Sequence, residues 1–156
     1  MNETTLKTSD MKQYIVVNIG NEQFGIDIKY VDNIVRMQRI TRVPKAQPYF
    51  NGVINIRGEI IPVMSLRVKF ELEPDEFTSK TRILIIKLET QAAVGIIVDE
   101  VKNVITLSDE DIDTNTTTGN DDKAIYTTGV GKMENGLVTL LNLQGVIVEK
   151  EAVDKV

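Results

Sequence analysis

The stretch Phe24-Gly25-Ile26-Asp27-Ile28-Lys29-Tyr30-Val31-Asp32-Asn33-Ile34-Val35 occurs a second time in the chain as Val94-Gly95-Ile96-Ile97-Val98-Asp99-Glu100-Val101-Lys102-Asn103-Val104-Ile105. The offset is a constant 70, the difference between Gly95 and Gly25, and the glycine, the asparagine and the apolar positions coincide. Upstream, Tyr14-Ile15-Val16-Val17-Asn18-Ile19 aligns with Ile83-Leu84-Ile85-Ile86-Lys87-Leu88 at an offset of 69, so one residue is inserted in the turn between. Downstream, Gly52-Val53 and Ile60 to Leu66 align with Gly129-Val130 and Leu137 to Leu143 at an offset of 77. Alternation alone would align any two β-rich stretches. Three ordered blocks sharing Gly25/Gly95, Asn33/Asn103 and Gly52/Gly129 indicate a duplication.

Within each copy the apolar residues recur with period two and β-branched side chains dominate, which is the pattern of strands. Ile15, Val17 and Ile19 alternate against Tyr14 and Val16, and Phe24, Ile26 and Ile28 continue the pattern. The protein is therefore expected to be mostly β, each copy forming a small barrel of about five strands. A unit of that size buries only ~60% of its unfolded surface, so the two are expected to share a core. Gly25 and Gly95, inside strands, mark bulges or close backbone approaches. Helical signals are short: Tyr30, Val31, Ile34 and Val35 suit one or two turns, and Ser65 and Asn142 are placed as N-caps of short turns. Asn135-Gly136 is a hairpin tip, and Arg57-Gly58 serves the corresponding connection displaced by one position, so the register there is not expected to be strictly kept.

Composition restricts the chemistry. Among 156 residues there is no histidine, no cysteine and no tryptophan. Ser-His-Asp and Cys-His centres, an imidazole base, a phosphoryl-accepting histidine and the usual nitrogen and sulfur zinc sites are thereby excluded. Carboxylates, Lys, Tyr and hydroxyls remain for catalysis, and oxygen ligands for metals. With 42% apolar and 26% charged residues the chain suits a globular protein with a core. Its apolar runs are far shorter than the ~18 to 20 residues of a membrane span, and Met1 to Met11 lacks the apolar core of a signal peptide. A cytoplasmic protein without membrane insertion is the expectation, and the absence of cysteine fits a reducing compartment.

Two motifs are set aside. Asp109, Asp111, Asp113 and Asn115 have the alternate spacing of a calcium loop, but its sixth position is Thr114 and its twelfth Asn120, where Gly and Glu are required. A capped turn is expected instead, with Ser108 as N-cap and Leu107 packing onto Ile112. Gly129-Val130-Gly131 begins like a dinucleotide fingerprint but lacks the third glycine and runs into a hairpin. Charge is segregated: residues 33–58 carry Arg36, Arg39, Arg42, Lys45 and Arg57 and no carboxylate, against a net charge of -5 overall. Such asymmetry steers a partner. A basic groove for nucleic acid would need stacking aromatics, and only Tyr49 and Phe50 sit nearby, so nucleic acid is not expected.

The block Gly52-Val53-Ile54-Asn55-Ile56-Arg57-Gly58-Glu59-Ile60-Ile61-Pro62-Val63-Met64-Ser65-Leu66-Arg67 resembles the signature of the CheW family of bacterial chemotaxis coupling proteins. Phe24 to Ile28, the Val98-Asp99-Glu100-Val101 core and Thr128-Gly129-Val130-Gly131 extend the likeness from about Met11 to about Val148. The resemblance implies two SH3-like five-stranded barrels in one domain over 12–150, a central lobe over about 25–82, another built from 12–24 and 83–150, and flexible tails at 1–11 and 151–156. It implies a non-enzymatic adaptor, without cofactor or metal, that links chemoreceptor cytoplasmic tips to the regulatory domain of the histidine kinase CheA and is recruited to membrane-associated receptor arrays. A small ligand- or nucleic-acid-binding barrel is the alternative.

Carried over by position, the resemblance puts Val31 and Gly52 on the kinase-facing side, Val101 and Val104 in the receptor groove, and Arg57 as the motif arginine of receptor coupling. The repeat supplies a second reading: Val31, Val101 and Val104 have apolar counterparts, as core residues would, and Gly52 occupies a position that a backbone constraint also explains. Arg57 differs, since its counterpart is Glu134. Asn33 stands where the family has an acidic residue, which removes a natural partner for Arg57, and Ser65 stands where Asp is common before Leu-Arg.

Overall fold

Strand β1 (Lys12–Ile19) has apolar residues on both faces, because it has a core on each side: Tyr14 and Val16 point one way, Ile15, Val17 and Ile19 the other, and all five are buried. The computed structural model describes residues 11–89, 92–114 and 125–147. After β1 come β2 (Glu22–Asp27), a 3-10 turn at Ile28–Tyr30, β3 (Val31–Arg36), β4 (Phe50–Ile56), β5 (Glu59–Ser65) and the short helix α1 (Leu66–Lys69). The second copy follows as β6 (Arg82–Ile86), β7 (Val94–Val98), β8 (Glu100–Leu107), β9 (Ile112–Asp113), β10 (Thr127–Met133), β11 (Gly136–Leu141) and α2 (Leu143–Ile147).

The strands form two sheets, ordered β8-β1-β2-β11-β10-β9 and β3-β6-β7-β5-β4. Each is the pattern of an SH3-like barrel, and the two carry the duplication with an exchange. The first sheet takes β1 and β2 from the first copy and its remaining strands from the second; the other takes β6 and β7 from the second copy and β3, β4 and β5 from the first. The registers repeat in detail. Ile15 pairs with Val104 and Val16 with Asn103, while Leu84 pairs with Ile34 and Ile85 with Asn33. Both pairings carry a bulge at the same place, and the parallel contact of Leu140 with Gly25 is repeated by Val63 with Gly95.

The exchange moves the expected lobe boundaries. β2 pairs with β1, and β6 and β7 stand between β3 and β5, so the central sheet runs from Val31 to Val98 and not from 25 to 82. The crossovers therefore fall at Ile28–Tyr30 and at Asp99. Of the expected tails, residues 1–10 and 151–156 lie outside the described residues.

Three apolar clusters fill the protein. One lies inside each barrel, built on Tyr14, Val16, Leu107, Val138 and Leu140 or on Ile54, Ile61, Val63, Ile83, Ile85 and Ile97. The largest lies between the sheets and draws Ile15, Val17 and Ile19 from one and Leu84, Ile86, Ile96 and Val98 from the other. At roughly 1.5–3 kcal/mol for each buried aliphatic side chain, this shared cluster makes the two barrels one cooperative body.

Gly25 and Gly95 are close approaches, with no bulge in the β1–β2 or β6–β7 pairing. A Cβ on Gly25 would stand 2.8 Å from Leu140 Cδ2, and one on Gly95 2.8 Å from Ile83 Cγ2. Residues 31–36 do not form helical turns, because their alternating burial and pairing with β6 hold them extended. Ser65 caps α1, its hydroxyl oxygen accepting the Val68 N–H at 3.1 Å. Asn142 stands in the matching place before α2, its carbonyl accepting the Val146 N–H at 2.9 Å, while its side-chain amide donates to the Ile125 carbonyl at 3.2 Å. The hairpin register is kept after all: both loops are two residues long and lie 77 apart, since Ile56 pairs with Glu59 and Met133 with Gly136. What moves is the positive φ, carried by Arg57 and Gly58 in one loop and by Gly136 in the other.

Candidate functional site

The third strand of each copy, β3 or β8, forms the outer edge of the other copy's hairpin, and this sets which of its apolar residues face water. Val31, the first residue of β3, and Val101, the second of β8, lie opposite Ile86 and Val17 and are half-buried against the shared cluster. Three residues further on, past the bulge, Val104 is 48% exposed and its counterpart Ile34 is 39% exposed. The expectation that the repeat marks core packing holds for Val31 and Val101. It fails for Val104, whose side chain lies on the outer face of β8.

Gly52 is buried in β4 at φ +143, and a Cβ there would stand 2.2 Å from the Thr41 carbonyl oxygen. The cause is barrel closure. Thr41 and Val53 exchange backbone hydrogen bonds of 2.8 Å in each direction, so the chain after β3 crosses directly over Gly52. The second copy closes in the same way, Asp113 pairing with Val130 beside Gly129. Gly52 thus shapes the surface formed by residues 40–42 without presenting a side chain of its own. In the central sheet Val31 and Gly52 occupy opposite edge strands, and Val101 and Val104 lie in the other sheet.

Arg57 occupies the β4–β5 tip at φ 53, a left-handed conformation that costs a non-glycine residue roughly 1–2 kcal/mol. The tip is braced by Asn55, whose Oδ1 accepts the Gly58 N–H at 2.9 Å. Arg57 is exposed and has no ion-pair or hydrogen-bond partner among the described residues. Asn33 turns its Oδ1 to the Ile34 N–H at 2.9 Å. Arg36, Arg39, Arg42 and Lys45 are likewise exposed, so the basic stretch is a solvated face of the central sheet.

Sequence reasoning quoted Arg67 and Asp99 as parts of motifs but missed their relation. Arg67 of α1 donates Nε to Asp99 Oδ1 at 3.0 Å and Nη2 to Asp99 Oδ2 at 2.6 Å, and a further Nη1 bond reaches the Glu73 carbonyl at 3.0 Å. The Gly20 N–H of the β1–β2 turn donates to the same carboxylate at 2.8 Å. A single carboxylate at a crossover thus receives bonds from both sheets. Burial raises the Asp99 pKa, but the Arg67 and Gly20 hydrogen bonds outweigh it and hold the carboxyl below its ordinary value. Asp75 shifts the other way: burial dominates and raises its pKa, although the Ser65 hydroxyl donates to it and Arg67 lies nearby. Its Oδ1 is buried without a hydrogen-bond partner among the described residues.

The acidic run resolves into turn structure. Asp109–Asp111 is a 3-10 turn in which Asp111 Oδ2 accepts both the N–H and the hydroxyl of Ser108 at 3.0 Å, and Leu107 and Ile112 share one cluster. Asn115 and Asn120 lie outside the described residues. Among the described residues no cluster of carboxylates is arranged to hold a metal ion, and no helix is long and apolar enough to cross a membrane.

Comparison with known proteins agrees with this architecture. Residues 13–151 match the family model for the CheW-like domain. The chain is 34% identical to the chemotaxis protein CheW of Bacillus subtilis, over 94% of this chain and 92% of that one. It is 34% identical to the CheW of Helicobacter pylori, over 88% and 82% of the two chains. The crystal structure of the scaffolding protein TtCheW from Thermoanaerobacter tengcongensis superposes with a TM-score of 0.79 at 28% identity, covering 88% of this chain and 94% of that one.

Proposed function

Since the chain belongs to the CheW-like family of chemotaxis scaffold proteins, we propose that it couples chemoreceptor cytoplasmic tips to the regulatory domain of the kinase CheA, acting through surfaces and without catalysis. Val104 is the observation that carries this reading. It is an apolar side chain held on the outer face of an edge strand, where nothing in the fold requires it to be apolar. Together with half-buried Val101 it offers a helical receptor tip a small hydrophobic anchor of the kind that dominates signalling interfaces. Val31 and the surface over Gly52 serve the kinase side. Arg57, charged and strained at its hairpin tip, reaches a receptor carboxylate, since strain tolerated at an exposed site is consistent with a functional role. The protein works in the cytoplasm, drawn to membrane-associated arrays by its partners. Binding at one surface that favours assembly at the other must be reciprocal in free energy.

Affinity measurements against a receptor-tip fragment and, separately, the kinase regulatory domain test this. Val104→Lys should weaken receptor binding at least ~10-fold, the loss of one buried apolar contact, and leave kinase binding near wild type. No association of the wild-type chain with either partner would overturn the coupling reading.

A further inference from the structure

The duplication gives the Arg67–Asp99 pair a counterpart, and the counterpart is built differently. Lys29, at the crossover between β2 and β3, stands where Asp99 stands, and Gln144 of α2 stands where Arg67 stands. The anion is replaced by a cation and the cation by an amide. In place of an ion pair there is a cavity of about 260 Å³, lined by Lys29 and Gln144 together with Lys12, Tyr14 and Thr128.

These groups are mainly hydrogen-bond donors. Tyr14 is 7% exposed, yet it lines the cavity and its hydroxyl has no hydrogen-bond partner among the described residues. Burial, and behind it the charges of Asp27 and Asp109, raise its pKa, so the phenol keeps its proton and can donate. Lys29 holds its Nζ 5.0 Å above the Tyr30 ring, which fixes the ammonium without supplying an anion. Asp27, the cavity's own carboxylate, is engaged by the crossover turn, where its Oδ1 accepts the Lys29 N–H at 3.1 Å. Two ammonium groups, a phenol, a hydroxyl and the side-chain amides of Asn142 and Gln144 thus outnumber the single Asp27 carboxylate around a space whose counterpart at the other crossover is occupied by a carboxylate.

We propose that this cavity is a binding site for a carboxylate group, contributed by a small organic acid or by a Glu or Asp side chain of a docked protein. Charge-assisted bonds from Lys12 and Lys29 supply the attraction, and the Tyr14 hydroxyl selects for an acceptor. The site stands on geometry independent of the coupling function.

Proton–nitrogen correlation spectra of the full chain, titrated with sodium succinate or with a capped glutamate peptide against sodium chloride at matched ionic strength, test the site. Saturable shifts are expected at Lys29, Tyr30 and the Gln144 side-chain amide. Lys29→Ala should weaken binding about 10-fold, the loss of one charge-assisted hydrogen bond, and Tyr14→Phe should weaken it by a smaller factor, with folding of both variants checked by the same spectra. Lys69→Ala, remote from the cavity, should leave it unchanged. Stronger binding of succinate identifies a free acid as the source, and stronger binding of the peptide identifies a protein side chain. Shifts that grow linearly without saturating, or a Lys29→Ala titration indistinguishable from wild type, would overturn the proposal.

Discussion

Arg67 and Asp99 meet through two parallel hydrogen bonds of 3.0 and 2.6 Å, and the pair joins a helix of the central sheet to the one-residue crossover from which β8 starts. Both side chains are only partly exposed, 20% and 28%, so solvent screening reduces the pair without abolishing it. A double-mutant cycle with Arg67→Ala and Asp99→Ala, followed by urea unfolding, should give a coupling of about 1–2 kcal/mol, near the low end for hydrogen bonds to charged groups. Asp99→Ala should be the costlier single change, since it also strips the Gly20 N–H of its acceptor. A coupling indistinguishable from zero would make the pair a surface contact only.

The two shifted carboxyls give stability opposite pH dependences. Asp99 is held below its ordinary value, so its contribution is complete above the unfolded value of 3.8 and is lost as pH falls through the depressed one. Asp75 is raised, so its buried charge opposes folding above its raised pKa, and that penalty fades as pH falls from there toward 3.8. Over a range from below 3.8 to above the raised Asp75 pKa, Asp75→Asn should therefore gain stability relative to wild type as pH rises from 3.8 through that raised value, whereas Asp99→Asn should flatten the acid limb below 3.8. Unfolding curves across that range measure both, and an Asp75→Asn difference that is constant with pH would remove the case for a buried charge there.

Val104 and Leu84 occupy neighbouring alignments of the repeat but opposite environments. Val104→Lys should change stability by no more than about 0.5 kcal/mol, as exposed substitutions do. Leu84→Ala, in the shared cluster, should cost about 2–5 kcal/mol. If circular dichroism showed Val104→Lys unfolding with Leu84→Ala, the outer face of β8 would have to be core.

Arg57→Gly relieves a left-handed residue at an open tip. It should raise stability by up to about 1 kcal/mol while weakening receptor binding, because the strain belongs to the backbone and the function to the guanidinium. A destabilised Arg57→Gly would mean the side chain holds the hairpin.

Gly25→Ala places a methyl 2.8 Å from Leu140, where the neighbouring strand is parallel and packed. A cost of about 1–3 kcal/mol follows from overpacking, read as a lower denaturant midpoint. Gly58→Ala tests a different constraint: its Cβ meets nothing within 4 Å, so any loss comes from the positive φ alone.

Much of this architecture was legible because duplication turns a weak β pattern into a paired one. The strands of one copy matched those of the other in order, and Gly25 and Gly95 were read as bulges or close approaches, of which the structure shows the second. The family resemblance supplied the exchange of strands with limits near 25 and 82, whereas β2 pairs with β1 and both β6 and β7 enter the central sheet. Residues 30–35 carry apolar spacings that fit a helix, but Tyr30 closes a 3-10 turn and pairing with β6 holds the chain extended from Val31 onward. The Arg67–Asp99 pair was invisible for a plainer reason: its members are 32 positions apart in different copies, and no local period links a cation on a helix to a carboxylate at a crossover. Val104 shows the limit from the other side. Its apolar repeat counterpart, Ile34, suggested a buried residue, yet both are exposed on edge strands.

The exchange of strands also imposes an order in time. During synthesis the β1–β2 hairpin leaves the ribosome before the central sheet, yet its neighbours β8 and β11 are made only after the whole of that sheet, which is continuous from Val31 to Val98 and can close on its own strands. Pulsed hydrogen exchange during refolding should accordingly protect amides of β6 and β7 before those of β1, and simultaneous protection would contradict this order. Until β8 arrives, a strand apolar on both faces lacks its edge partner, so β1, made before the central sheet, is safe from aggregation only after it.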